Sequence, residues 1–372
     1  MFKEPTVFIL GAGASWHYGY PTGEALVKKV IEKAEVAADF FDHSVRAQNL
    51  LAPVYLKDFM KNGFPEAWKK ALSEVQKLQL GLGQVNPLVI DYYLGQNPEL
   101  KDIGRLLIAW VILECEYNAR DGTNPNRHLK RGETADDNWC RFIIHQLAID
   151  CKQSKDLLSN RVSFITFNYD VSLEQTLRNG LAHIQMFEEE DRRKFLDEGS
   201  RIVHIYGRVR DVNVAADWPM ARFNLDPKNL TEHSAPKYQM GMKETLDFAY
   251  EASCGLRVID PDDKGANDTE LTKARKAIAK AKRVFILGYG FDEHNSKRLN
   301  LRKSLAHAVN PNYQSVAFTN FQDIGQINKR ASKLFYRHPK NFLASGHVLA
   351  DRYEKSVRNT YDALAWDFDL AD

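Results

Sequence analysis

Three polar residues stand where apolar, strand-like runs give out. Asn168 and Asp170 follow Phe164-Ile165-Thr166-Phe167, and His204 lies inside Ile202-Val203-His204-Ile205-Tyr206-Gly207. An amide both donates and accepts, so Asn168 can orient a water and a sugar hydroxyl together. Asp170 can hold a ribose or that amide in place. His204 has a side chain that titrates near neutral pH and can serve as a general base. Residues two apart on a strand face the same side, which puts His204 and Tyr206 on one face. Structural roles fit the same residues. Asp170 can cap a helix starting near Val171, Asn168 can make a turn, and His204 can be a satisfied core histidine.

Two glycine loops flank this set. Thr6-Val-Phe-Ile-Leu10 reads as a buried parallel strand and runs into Gly11-Ala12-Gly13-Ala14-Ser15. Small residues let a backbone approach a diphosphate, and N–H groups at a helix start favour an anion. Ser15 adds a hydroxyl donor. A tight strand-to-helix turn without ligand is the plain alternative. The dehydrogenase fingerprint wants a third glycine where Trp16 stands, and the lysine of a P-loop is missing. A second turn, Tyr18-Gly19-Tyr20-Pro21-Thr22-Gly23, is suited to closing over a nucleotide. The second loop, Gly288-Tyr289-Gly290-Phe291, follows Val284–Leu287 and is placed to approach an adenosine half. Asn295 downstream suits a helix cap or a nucleotide contact. Glu293, His294 and Asn295 lack metal-helix spacing, and no metal is expected.

The elements that must position these residues follow from hydrophobic periodicity. Strand-like runs at 6–10, 162–166, 201–206, 256–259, 284–287 and 315–318 alternate with helix-like segments, such as 22–37, 171–177 and 271–282. That alternation predicts an α/β fold: a Rossmann-like parallel sheet with helices on both faces. Residues 38–160 carry leucines and aromatics at helical spacing (64–80, 103–117, 138–149) and read as a large, mostly helical insertion. Residues 1–37 and 161–372 then form the nucleotide-binding domain. Residues 121–137 read as an exposed loop, and 188–200 as a solvated helix or loop.

Composition narrows the function classes. The chain has 372 residues, 44% apolar and 27% charged, with a net charge of +2. This is an ordinary globular balance and gives no reason to expect nucleic-acid binding or membrane association. No export signal or spanning segment is visible, so a cytoplasmic protein is expected. Cys115, Cys140, Cys151 and Cys254 form no Cys-x-x-Cys pair, which leaves free thiols and no structural zinc.

Taken in order, these elements resemble a sirtuin-like NAD-consuming domain of the bacterial type found in anti-phage defence. The likeness rests on residues 7–23, 164–174, 202–207 and 284–299: Gly-Ala-Gly-x-Ser with a Gly-x-Pro turn, Asn-x-Asp, a strand with histidine and glycine, and Gly-x-Gly-Phe with a downstream asparagine. Val89-Ile90-Asp91-Tyr92-Tyr93-Leu94 matches the family's Ile-Asp-x-x-Leu segment. Sirtuin deacylases carry a four-cysteine zinc module that this chain cannot build. Family members often place histidine directly before the glycine, where Tyr206 stands here. Thr22 and Gly23 stand where deacylases carry an arginine.

The resemblance implies hydrolysis of the nicotinamide–ribose bond of NAD, giving ADP-ribose. Asn168 would position water, His204 would take a proton and Asp170 would orient Asn168 or the ribose. Gly11, Ala12, Gly13, Ser15, Pro21, Thr22, Tyr206, Gly288, Gly290, Phe291 and Asn295 would bind the nucleotide. It also implies a homo-oligomer and a HerA-like ATPase partner, with NAD as substrate and no further cofactor. A module that senses NAD or ADP-ribose without turnover, or a structural subunit of such a complex, carries the same motifs.

Overall fold

The computed structural model describes residues 1–47, 52–57, 63–120, 139–198, 201–210, 236–258, 268–306, 315–319 and 325–335. The expected loop at 121–137 lies outside them. Five strands form one parallel sheet: β1 (Thr6–Leu10), β2 (Val162–Thr166), β3 (Ile202–His204), β4 (Arg283–Leu287) and β5 (Ser315–Phe318). Their order is β3-β2-β1-β4-β5, the doubly wound Rossmann-like arrangement. The chain winds outward in both directions from β1, so the crevice between the carboxyl ends of β1 and β4 is the topological switch point.

Burial of both sheet faces explains the continuous apolar runs. Val7, Ile9, Ile165, Val203, Val284 and Ile286 belong to one core cluster. Phe8, Leu10, Phe164, Phe285 and Leu287 belong to the other. In register across three strands, Phe8 pairs with Phe164 and with Phe285. Its ring stacks on theirs at centroid distances of 5.4 and 5.0 Å. Such pairs add about 0.5–1.5 kcal/mol each beyond area burial.

Helices α1 (Gly23–Arg46), α2 (Phe64–Val85), α3 (Ile90–Gln96) and α4 (Lys101–Arg120) cover the first face. The second carries α5 (Trp139–Ala148) and α6 (Ser172–Ala182). A short helix, α7 (Glu189–Arg193), runs into a single π turn. After β3 come α8 (Pro236–Ser253), α9 (Thr269–Lys280), α10 (Glu293–Arg298), α11 (Leu301–Ala306) and α12 (Gly325–Phe335). No helix among the described residues is long and apolar enough to cross a membrane.

The structure differs from expectation at the limit of the insertion and at one strand. The boundary at residue 38 falls inside α1, because Ala34, Ala37, Phe40 and Phe41 extend its buried stripe without a break. Residues 38–160 are mostly helical where they are described, as expected of the insertion, and they pack on the sheet. α1 to α4 share one core with sheet residues, and α5 packs on the opposite face, where Trp139 stacks on Phe8. The strand expected at 256–259 is reduced, among the described residues, to one antiparallel bridge between Gly207 and Leu256.

At the switch point the two glycine loops pack on each other. Gly288 has φ +58°, and a Cβ there would sit 2.1 Å from the Ala14 nitrogen. A left-handed backbone and a steric overlap with main chain each cost about 1–3 kcal/mol. Gly288→Ala is therefore expected to lower stability by at least about 2 kcal/mol, read as a drop in the thermal midpoint. A variant that melts with the wild type would contradict this packing.

Candidate functional site

β2 stops at Thr166 because its hydroxyl oxygen accepts the Asn168 N–H, at 3.0 Å, and bends the chain. Two residues on, Asp170 Oδ1 accepts the Ser172 N–H (3.0 Å) and the Ser172 hydroxyl, setting the first turn of α6. The same oxygen accepts the Ser15 hydroxyl from the β1 loop, at 3.2 Å. Ser15 thus spends its only proton on Asp170. Its oxygen can then only accept, and it takes the Asn168 Nδ2–H at 2.9 Å. This ordering fixes the Asn168 amide. Nδ2 faces Ser15, and Oδ1 is left buried without a hydrogen-bond partner. Burial pushes the Asp170 pKa up, while the Ser172 and Ser15 donors pull against that rise.

His204 ends β3 beside this group. One ring nitrogen, Nε2, lies 2.7 Å from Glu174 Oε1, and Nδ1 lies 3.1 Å from the Asn168 carbonyl oxygen. Both neighbours are acceptors, so the ring is satisfied as an imidazolium that donates from both nitrogens. Burial alone would lower its pKa, but the Glu174 carboxylate outweighs burial and raises it. Burial likewise pushes Glu174 up, and the charge and hydrogen bond of His204 bring it below the ordinary value. The second carboxylate oxygen, Oε2, is buried without a partner.

Residue composition alone did not point to Glu174. The available signal was its place: Glu174 lies in the first turn of α6, four residues after Asp170, and its charge adds to burial in raising the Asp170 pKa. Among the described residues, no three His, Cys, Asp or Glu side chains gather to hold a metal.

Ser15, Asn168, Asp170, Glu174 and His204 surround a cavity of about 10 Å³, closed off by Leu10, Trp139 and Cys140. That is room for about one water. Glu174 and His204 also line a much larger cleft, of about 950 Å³, outside the β3 edge. The buried ion pair is therefore the wall between a water-sized cavity and a nucleotide-sized one.

The remaining candidates gather elsewhere. Tyr206 does not share a face with His204, because β3 ends at His204 and a turn interrupts the alternation. Its ring joins Phe167 and Tyr169 on the opposite side, and its hydroxyl donates to Asn295 Oδ1. Tyr169 donates to the buried carboxylate of Asp91, whose pKa burial pushes up to about 6. Phe291 packs edge-on against Tyr289 and Phe318. The α10 cap is Asp292, which accepts the Asn295 N–H at 3.0 Å, so Asn295 is not the cap. Pro21 and Thr22 lead into α1, and Gly290 is exposed.

The N–H groups expected to meet an anion are largely spent on backbone. Gly11 donates to Leu287 O, Gly13 to Gly288 O and Ala14 to Gly11 O, at 2.9, 3.0 and 2.9 Å. Comparison with known protein families, with curated proteins and with solved structures finds no match.

The ion pair gives stability a pH window. His204, with a raised pKa, contributes fully below its ordinary value of about 6.5 and loses that as pH rises through the folded value. Glu174, with a lowered pKa, contributes fully above about 4.5 and loses that as pH falls through the folded value. Both contributions are complete between those limits. Glu174→Gln is expected to cost about 3 kcal/mol there, with the deficit narrowing toward alkaline pH. Thermal midpoints of both proteins across pH 4–9 would show it, and a pH-independent difference would contradict the pairing.

Proposed function

We propose that this protein hydrolyses the N-glycosidic bond of NAD, releasing nicotinamide and ADP-ribose. The observation that carries the reading is the Asn168 amide oxygen, buried and unpartnered beside a water-sized cavity at the strand ends. A hydroxyl or water held there has its orientation set before reaction, because Ser15 and Asp170 lock the amide. Nicotinamide leaves as a neutral base with the bond electrons, through an oxocarbenium-like state. The attacking water bonds to the ribose carbon and gives up one proton.

The open acceptor for that proton is Glu174 Oε2. His204 has both ring nitrogens engaged and acts by keeping Glu174 ionised, instead of serving as the base expected from sequence. The motif resemblance extends the proposal to a cytoplasmic, oligomeric effector that depletes NAD in anti-phage defence with a HerA-like ATPase. Co-purification with such an ATPase tests that extension.

A second reading, a pocket that binds NAD or ADP-ribose without turnover, also draws on the engaged nitrogens of His204. Nicotinamide release by the purified protein separates the two. The wild type is expected to release it, and Asn168→Ala to lower kcat by about 10²-fold while keeping the thermal midpoint. Full activity in Asn168→Ala would sink this mechanism. Binding without release, alone and with the ATPase, would favour the sensor.

A further inference from the structure

The large cleft at the β3 edge owes its chemistry to a backbone device. Gly207 adopts φ +73°, and a Cβ there would sit 2.0 Å from the Gly255 carbonyl oxygen. Only that close approach lets Gly207 and Leu256 form their antiparallel bridge. The Arg208 N–H donates to Gly255 O at 3.2 Å, and the Arg257 N–H to Tyr206 O at 2.8 Å. One arginine therefore stands on each side of the bridge, with its backbone fixed, and both line the cleft.

Their side chains are 41% and 49% exposed, and each lies within ion-pair distance of a carboxylate, Glu174 at 3.5 Å and Asp268 at 3.7 Å. Five Lys or Arg side chains and four carboxylates line the cleft. Three of those carboxylates are paired, Glu174 with His204, Asp197 with Arg178 and Glu270 with Lys273, and among the cations Lys273 and Arg210 are paired as well, Arg210 with the buried Glu116. A guanidinium fork matches the oxygens of a phosphate, and a cleft of about 950 Å³ has the size of a nucleotide site.

We propose that this cleft is a diphosphate seat, in which Arg208 and Arg257 hold the diphosphate of a nucleotide ligand. The proposal rests on the reading of NAD as substrate and deepens it. The glycine loop has spent the N–H groups of Gly11, Gly13 and Ala14 on backbone, so the charge of a dinucleotide needs cations from elsewhere. The wall of this cleft is the same ion pair that borders the Asn168 cavity.

Calorimetric titration of the full chain with ADP-ribose, and separately with inorganic pyrophosphate, tests it. The wild type is expected to bind both, more weakly as salt rises. Arg208→Gln and Arg257→Gln should each weaken both ligands about tenfold or more, with the thermal midpoint held. Arg257→Lys keeps the charge but loses the fork, and should also weaken them. Asn168→Ala should bind pyrophosphate as the wild type does. Unchanged affinity in the double arginine-to-glutamine variant, or no binding of either ligand by the wild type, overturns the seat. Arginine-dependent pyrophosphate binding without nicotinamide release leaves the seat standing and removes the hydrolysis reading instead.

Discussion

Asp170 is a carboxylate taken almost wholly out of water, and a buried charge is tolerated only when donors surround it. Its donors come from two places far apart in sequence, the β1 loop through Ser15 and the start of α6 through Ser172. Meeting that one requirement pulls two strand ends together. It also decides which way Asn168 points, since Ser15 has no proton left to give. The order of hydrogen bonds, more than the presence of an amide, makes this position chemically distinct.

A second constraint acts from the β3 side. Glu174 and its neighbour Gln175 share the first turn of α6 but serve different partners. Glu174 faces His204, while Gln175 donates to Glu116 of α4, which is also gripped by both ends of the Arg210 fork. Glu116 and Arg210 are almost fully buried. Truncating either member of such a pair leaves an uncompensated charge, so α4 and the chain after β3 are held to the helix that carries the site. The helical layer thus has a polar connection to the reacting end as well as an apolar one.

Much of the frame was legible in the sequence. Short β-rich runs ending in glycine or polar residues located β1, β2 and β4 to within a residue or two. Ser15, Asn168, Asp170 and His204 do come together. What failed did so for local reasons. Strand alternation was carried past His204 into a turn, which put Tyr206 on the wrong side. Phe40 and Phe41 continued α1 across an expected boundary. Glycine spacing suggested free N–H groups, but only the packing of one loop on the other shows where those donors go. Glu174 lies on a helix, and its partner His204 is thirty residues away on a strand, so no local pattern joins them.

Cys140 closes one side of the cavity beside Asn168. Burial pushes its thiol up to about 12, so it is protonated at neutral pH and unreactive in the closed state. A thiol-directed reagent reaches it only when α5 and the loops beside it part. The exposed Cys254 offers an internal comparison on the same chain. The ratio of the two labelling rates then reports how often the cavity opens, a built-in clock for local breathing that needs no substrate.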